Sequence, residues 1–273
     1  MSGSLYAVSD LHVSYPENQR IVEQLQPETD HDWLIVAGDV GEIFADVEKA
    51  LRRLRQRFPV VIWTPGNHEL WTHPQDPITL RGEARYQGLV QMCRDNGILT
   101  PEEDFAVWPG PDGPVTIVPL FQLYDYSWLA PGTADKQQSL AYAHRTGVVC
   151  TDEALLHPDQ YPDRESWCAA RIEFSRQRLA TLAPGARTVL ASHWPLVREP
   201  TDVLWYPEFA QWCGTTRTAD WHTRYDAVVA VYGHLHIPRT TYHDGVRFEE
   251  VSLGYPREWQ TRSSAPALPR KVL

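Results

Sequence analysis

The chain lacks the features that mark membrane and secreted proteins. No apolar run approaches the roughly 20 residues that a membrane-spanning helix needs, and the N-terminus has neither the basic nor the apolar region of a signal peptide. The four cysteines are scattered without a Cys-x-x-Cys pair, at Cys93, Cys150, Cys168 and Cys213. We therefore expect a cytoplasmic protein with reduced thiols and no membrane association.

Positive charge is also scarce. The formal net charge is −10, and the 3 lysines are outnumbered by 22 arginines. Residues 1–186 contain 15 basic and 26 acidic side chains, whereas residues 187–273 contain 10 and 9. A protein that binds nucleic acid usually presents a basic face. We therefore expect no nucleic-acid partner, and the sequence indicates no particular oligomeric state.

A length of 273 residues with a hydrophobic share of 42% is sufficient for one large α/β domain. We predict a single domain over residues 1–260, with a helical insertion at about residues 124–183 that could cap the site, and a loose tail over residues 261–273. Hairpins are predicted at residues 105–120 and 240–252. Buried strands are predicted at Leu5–Val8, Trp33–Ala37, Val60–Trp63, Thr188–Ala191 and Ala227–Tyr232, and helices at Glu17–Leu25, Phe44–Phe58, Leu80–Asn96 and Ser166–Leu182.

Side chains that bind metals follow each of the five predicted strands. Carboxylate, amide and imidazole groups are the donors that hold divalent transition metals. The strand ends of an α/β sheet open onto one crevice, so we predict that the five stretches converge. Any one of them alone would be interpreted as a turn or a cap, but five in order favour a metal site. The stretches are Asp10-Leu11-His12, Gly38-Asp39, Gly66-Asn67-His68-Glu69, Ser192-His193 and Gly233-His234-Leu235-His236.

The spacing of two stretches predicts shared ligation. Residues i and i+2 of an extended segment point the same way. Asp10 and His12 can therefore bind one metal, and His234 and His236 repeat this spacing.

The other donors suit a pair of cations. Asp39 has two oxygens and can bridge two metals, while Asn67 offers a neutral carbonyl oxygen. Two metals about 3.5–4 Å apart lower the pKa of a shared water, so that hydroxide can attack a phosphate whose charge they also neutralise. His68, beside Asn67, is the candidate general acid for the leaving alkoxide. These residues predict a phosphoesterase.

The ordered set Asp-x-His, Gly-Asp, Gly-Asn-His-Glu, His and Gly-His-x-His resembles that of the calcineurin-like metallophosphoesterases over about residues 5–255. The resemblance implies the α/β fold of that family, a four-layer sandwich of two mixed β-sheets flanked by helices. It also implies two divalent metal ions, which could be manganese, iron or zinc. By this resemblance Asp10, His12, Asp39 and His236 hold one metal, Asp39, Asn67, His193 and His234 hold the other, and His68 faces the leaving group.

Longer segments resemble one subgroup of that family, the actinobacterial phosphopantetheinyl hydrolases. These segments are residues 32–39, 206–209, 212–216, 221–225 and 254–259. The subgroup releases 4′-phosphopantetheine from a serine of holo-acyl carrier protein, so the resemblance implies that phosphodiester as substrate and that protein as partner. Because an acyl carrier protein is acidic, its docking would need a local arginine patch. The candidates are Arg198, Arg217, Arg224, Arg239 and Arg257.

One position departs from the family pattern. Many members follow Gly-Asp with x-x-Asp or x-x-Asn, and protein phosphatases then add arginine, whereas this chain has Glu42 followed by Ile43. The departure argues against a protein phosphatase. Glu42 could replace the missing residue in supporting the metal ligands.

The substrate contacts are predicted from position alone. Trp71 follows the Gly-Asn-His-Glu turn, Tyr124 follows a predicted strand, and Arg198 lies near His193 in sequence. The same donor set also allows a phosphomonoesterase or nucleotide phosphohydrolase, because fold and metals do not fix the substrate. A metal-containing binding scaffold without catalysis is a third alternative, and the intact His68 argues against it.

Overall fold

Two β-sheets form the centre of the computed structural model, which describes residues 3–262 and 268–273. The strand orders are β10-β1-β2-β3 and β4-β5-β6-β7-β9-β8, and each sheet contains parallel and antiparallel pairs. The predicted sandwich of two mixed sheets is thus confirmed. The strands are β1 Leu5–Val8, β2 Trp33–Ala37, β3 Val60–Thr64, β4 Ala106–Trp108, β5 Val115–Pro119, β6 Thr188–Ala191, β7 Ala227–Tyr232, β8 Arg239–His243, β9 Val246–Glu250 and β10 Arg270–Lys271.

Alternation along the strands divides the core into two parts. Leu5 and Ala7 of β1 belong to an apolar cluster that also includes Ile117 and Val189 of the second sheet. Their neighbour Tyr6 belongs to the larger cluster that includes helical residues such as Leu51. Successive side chains of a strand point to opposite faces, so one face of each sheet packs on the other sheet and the opposite face packs on helices.

Helices cover the outer faces, and they include the four helices predicted from sequence. The predicted helix over 44–58 is Phe44–Arg57, and it ends before Pro59, which cannot continue a helix. The insertion contributes three helices before β6. The helices are α1 Pro16–Val22, α2 Phe44–Arg57, α3 Asn67–Leu70, α4 Gly82–Asp95, α5 Lys136–Arg145, α6 Asp152–Leu155, α7 Arg164–Leu179, α8 Trp221–Arg224 and α9 Pro256–Trp259.

The end of the chain contradicts the predicted loose tail. Strand β10 pairs antiparallel with β1, placing Lys271 opposite Tyr6, and Val272 is buried in the cluster between the sheets. The remaining part of the predicted tail includes residues 263–267, which lie outside the described residues. The sequence could not indicate a strand here because β10 has two residues and no apolar run of its own.

The two sheets meet at the ends of β1 and β9. Ser9 and Ser252 form a parallel bridge there, and the Ser9 amide donates to the Val251 carbonyl at 3.1 Å. This junction brings the residues after β1 next to those after β7 and β9. All four cysteines are free, as predicted, and no helix in the described part of the chain is both long and apolar enough to cross a membrane.

Candidate metal centre

The five predicted stretches converge where the two sheets meet, but by a backbone geometry that differs from the prediction. Asp10 and His12 have φ values of 54° and 40°, and His234 and His236 have φ values of 70° and 54°. These residues are in the left-handed region and not in an extended segment, so alternation along a strand does not align them. His234 and His236 consequently turn to different ligand groups.

Glycines permit the close approach of these turns. A Cβ atom at Gly66 would collide with the Asp39 carboxylate, and one at Gly233 would collide with the side chains of Ser9 and Asp10. The glycines that precede the donors Asn67 and His234 are therefore required by the crowding around the two carboxylates.

The first ligand group contains Asp10, His12 and His236. Their donor atoms lie within 4.8 Å of one another. The His236 Nε2 atom is 3.0 Å from Asp10 Oδ1 and 3.2 Å from His12 Nε2. The structure thus places three of the four residues that the family resemblance assigns to one metal around a common point.

The second group centres on His193. Its Nε2 atom is 3.3 Å from Asp39 Oδ2, 3.1 Å from Asn67 Oδ1 and 3.2 Å from His234 Nδ1. Asp10, Asp39 and His193 also form a set within 4.8 Å, which joins the two groups. The arrangement fits the predicted role of a carboxylate between two adjacent sites.

In both Asp10 and Asp39, one carboxylate oxygen accepts hydrogen bonds from the surrounding protein and the other faces the cluster. Asp10 Oδ2 accepts hydrogen bonds from Ser9 Oγ at 2.6 Å, Ser252 Oγ at 2.7 Å and the His234 amide at 3.0 Å. Asp39 Oδ1 accepts from the His68 amide at 2.9 Å. Such contacts fix the direction of the remaining oxygen.

The nitrogen ligands are oriented in the same way. His193 Nδ1 contacts the Ala37 carbonyl at 2.9 Å, and His236 Nδ1 contacts Glu258 Oε2 at 2.7 Å. In each ring this leaves Nε2 for the cluster. A carboxylate or carbonyl behind a ligating histidine is the usual means of fixing its tautomer.

The pKa values of the cluster are displaced because carboxylates and imidazoles are buried close to one another. Burial raises the pKa of the Asp39 carboxyl, but His193 and His68 lower it by more, so the net pKa lies well below its ordinary value. Burial lowers the pKa of His236, yet Asp10 and Glu258 together raise it to about 10. Burial and then His193 lower the pKa of His234 to about 3. A cation would therefore displace protons from the cluster.

His68 lies at the edge of this cluster and contacts the residue that departs from the family pattern. Its Nδ1 atom is 2.8 Å from Glu42 Oε1, and its Nε2 atom is 3.8 Å from Asp39 Oδ2. The Tyr255 hydroxyl lies 3.4 Å from Nε2. Burial lowers the pKa of His68, but Asp39 and Glu42 together raise it by more, so the net pKa is above its ordinary value. Glu42 thus favours the protonated imidazole and leaves Nε2 toward the pocket.

Asp152 of the helical insertion is a residue that sequence reasoning missed. This buried carboxylate accepts from Asn67 Nδ2 at 2.9 Å, Trp71 Nε1 at 2.6 Å and the Tyr124 hydroxyl at 3.0 Å. It thereby turns the carbonyl oxygen of Asn67 toward His193. The sequence carried no signal for it because it is 85 residues from Asn67.

The three predicted substrate contacts have different locations. Trp71 lines the metal pocket, with its ring centroid 3.7 Å from that of His68. Tyr124 is fully buried and supports Asp152, so it lies behind the site. Arg198 is on the surface, where it donates to the Leu129 carbonyl at 3.1 Å, and it is absent from the described lining of the pocket. Of these three residues, Trp71 alone lines the pocket and is positioned to touch a substrate.

The residues present fit a divalent metal site. Two pairs of imidazole nitrogens face each other at 3.2 Å beside carboxylate oxygens, His12 Nε2 with His236 Nε2 and His193 Nε2 with His234 Nδ1. The lone pairs of two neutral imidazole nitrogens at this distance need a proton or a cation beside them. Mixed oxygen and imidazole donors are those that bind manganese, iron and zinc, so cations satisfy this donor set better than hydrogen bonds do.

Comparison with known proteins agrees with this geometry. The sequence profile described as calcineurin-like phosphoesterase matches residues 3–238. The chain belongs to the calcineurin-like phosphoesterases. It is thus a hydrolase of a family that uses divalent metals, and the predicted enzyme class is confirmed.

Within the calcineurin-like phosphoesterases, the chain is similar to a mycobacterial enzyme. It is 56% identical over 259 residues to the [acyl-carrier-protein] phosphodiesterase PptH of Mycobacterium tuberculosis, covering 95% of this chain and 80% of the relative. The crystal structure of phosphopantetheinyl hydrolase PptH from M. tuberculosis matches with a TM-score of 0.95 and 55% identity, over 96% of this chain and 93% of that one. The predicted resemblance to the phosphopantetheinyl hydrolases is confirmed.

Proposed function

We propose that this phosphoesterase hydrolyses the phosphodiester that joins 4′-phosphopantetheine to a serine of holo-acyl carrier protein. The observation that carries the proposal is the 56% identity to a phosphodiesterase that acts on acyl carrier protein. The convergence of the seven donor residues with His68 supports it, because that arrangement contains the parts that diester hydrolysis requires. The partner is a carrier protein, and the cofactor is a pair of manganese, iron or zinc ions.

The donor residues would hold these two cations at adjacent positions. Asp10, His12 and His236 form one position, Asn67, His193 and His234 form the other, and Asp39 lies between them. When bound, two such cations activate a water as nucleophile and neutralise charge on the phosphate oxygens. The protein holds the donors in place by hydrogen bonds to the polar atoms that face away from the cluster.

His68 would complete the reaction. The water oxygen loses one proton to solvent and becomes bonded to phosphorus, the bond from phosphorus to the serine oxygen breaks, and the serine oxygen takes a proton. His68 Nε2 faces the pocket, with Nδ1 fixed by Glu42 at 2.8 Å, so it can donate that proton. Trp71 packs against His68 and restricts how the leaving group approaches.

A defined carrier-protein substrate tests the function. The enzyme is stripped with chelator, reloaded with Mn²⁺, Fe²⁺ or Zn²⁺, and incubated with holo-acyl carrier protein, whose mass is then measured. We expect loss of phosphopantetheine only after reloading. His68→Ala should retain the metals but be slower by about 10²–10⁴-fold.

Two results would reject the proposal. One is turnover that survives complete metal removal, measured by elemental analysis of the same sample. The other is a reloaded enzyme that leaves holo-carrier protein intact at high concentration while it hydrolyses monoesters or nucleotides, which would establish the monoesterase alternative.

A further inference from the structure

A large groove opens beside the metal pocket. Its volume is about 820 Å³, whereas that of the metal pocket is about 350 Å³. Ligand sites in proteins occupy about 300–1,000 Å³. One wall comes from the helical insertion at residues 146–149, another from residues 203–209, and the floor from residues 235–239.

Large exposed hydrophobic side chains are concentrated in the walls of the groove. The structure exposes eight large hydrophobic side chains in its described residues, and four of them line this groove. They are Val149, Val203, Trp205 and Tyr206, and Trp205 is 94% exposed. Exposed apolar residues that cluster in one concave region mark binding sites, whereas scattered ones need no explanation.

The groove adjoins the metal pocket. Both cavities share Val149, Phe209, Leu235, His236 and Glu258. Phe209 stacks over the His234 ring at 6.0 Å, which places the groove mouth beside a predicted metal ligand.

The residues proposed to face the leaving group line the metal pocket alone. His68, Trp71 and Asn67 line the metal pocket but not the groove. A diester bound at the cluster has one ester oxygen that departs toward His68 and another that stays on phosphorus. The group on the retained oxygen then has the groove available to it.

We infer that this groove is the subsite for the arm that stays on the phosphate, and that it takes a long, uncharged chain with amide and methyl groups. In the reaction proposed above, on which this inference rests, that chain is pantetheine. The charged side chains of the described lining are Arg239 and Glu258, together with His236, and Glu258 is already paired with His236 at 2.7 Å. A groove that concentrates exposed hydrophobic side chains and has few charges favours a neutral arm over a polyphosphate or a nucleotide.

Two synthetic diesters test the effect of the groove on catalysis without the carrier protein. Both have p-nitrophenol as leaving group, and the retained oxygen bears either methyl or pantetheine. The Mn²⁺-loaded enzyme should hydrolyse the pantetheine diester with a kcat/KM at least about tenfold above that of the methyl diester, because only the first fills the groove. Since the leaving group is the same, the ratio reports the arm alone.

Matched valine substitutions locate the effect. Val203→Trp fills the groove from a position that does not line the metal pocket, and Val107→Trp places the same ring on β4, away from both cavities. The two valines are 46% and 54% exposed, so both sites accommodate a larger side chain. We expect the ratio to fall to about one in Val203→Trp and to stay at the wild-type value in Val107→Trp.

Inhibition by the product gives a second readout. Free 4′-phosphopantetheine should inhibit Val203→Trp at least about tenfold less strongly than wild type, while inhibition by inorganic phosphate stays the same. If Val203→Trp does not fold or loses its metals, Trp205→Ser at the exposed rim replaces it and should lower the same ratio.

The outcomes distinguish the groove from the proposed function. Equal rates on the two diesters in the wild type, or an unchanged ratio in both groove variants, overturn the groove assignment even if holo-carrier protein is a substrate. A strong preference for the pantetheine diester that Val203→Trp abolishes supports the groove. If holo-carrier protein is then not hydrolysed, the proposed function fails and the groove assignment remains.

Discussion

Single residues outside the predicted ligand set orient the side chains of the site. Glu258 fixes the ring of His236, and Asp152 fixes the amide of Asn67. Glu42 does the same for the proposed acid, His68. Mutation of a residue that orients a metal ligand typically lowers metal affinity or activity by about 10–100-fold. The site therefore depends on these supporting carboxylates as well as on its donors.

Glu42→Gln tests this dependence at the proposed acid. The amide is isosteric but uncharged, so it stabilises the imidazolium less and lowers the pKa of His68. A general acid must be protonated, so activity declines as pH rises through that pKa. We expect kcat to drop by about 10–100-fold and the alkaline limb of the pH–rate profile to move to lower pH, with unchanged metal content by elemental analysis.

A double-mutant cycle with His68→Ala provides the control. Glu42 also lies 3.6 Å from His12 Nδ1, so it could act through that ligand. If Glu42 acts only through His68, Glu42→Gln should cost nothing further in the His68→Ala background. A full additional loss in that background would assign Glu42 to His12 and contradict our account.

The elements show what the sequence could predict and what it could not. Strands and helices were predictable because their apolar residues recur with the period of the element, and donors directly after strands converge in any α/β sheet. The left-handed backbone at Asp10 and His12 was not predictable, since strand periodicity assumes an extended backbone that these residues do not adopt. Asp152 and Glu258 were missed because only the tertiary fold brings them to Asn67 and His236.

The C-terminal strand, which the sequence did not indicate, can be tested through Val272. This side chain is buried between the sheets, beside the Leu5 backbone to which its amide donates at 2.8 Å. Truncation to alanine removes buried apolar surface, so Val272→Ala should lower the free energy of unfolding by about 1–3 kcal/mol. The midpoint of urea denaturation measures the change, provided that the slope is unaltered.

Val107→Ala is the matched control for the tail. Val107 lies on β4 and is 54% exposed, so the same truncation there should change stability by less than about 0.5 kcal/mol. Equal midpoints for the two variants would mean that the tail is loose, as the sequence alone suggests.

On the scale of the whole molecule, the donors come from both halves of the sandwich. Asp10, Asp39 and Asn67 follow strands of the first sheet, while His193 and His234 follow strands of the second. Cations bound by these donors would therefore connect the two sheets at their junction. Without cations, the cluster holds buried carboxylates beside imidazoles whose pKa values are displaced, and burial of unpaired charge is costly.

Metal binding should consequently stabilise the entire fold. A ligand that binds only the folded state adds about 2.7 kcal/mol at 100 times its Kd, which corresponds to a rise in Tm of roughly 5–10 °C for a protein of this size. Scanning calorimetry of chelated and Mn²⁺-loaded protein measures it. Burial lowers the pKa of His193, but Asp39 and Asp10 raise it to about 9. A metal that binds this imidazole between pH 6 and pH 8 must therefore displace a proton, and that displacement becomes easier as the pH rises. The rise in Tm on metal binding should consequently be larger at pH 8 than at pH 6.

Two substitutions locate this stabilisation in the cluster. Asp39→Asn removes the charge between the two metal positions and should abolish most of the rise in Tm. His243→Ala changes a half-buried histidine of β8 that belongs to neither ligand group, so its response to Mn²⁺ should match that of the wild type. A wild-type Tm that is the same with chelator and with Mn²⁺ would contradict a metal bridge between the sheets, because a cation that binds there must favour the folded state.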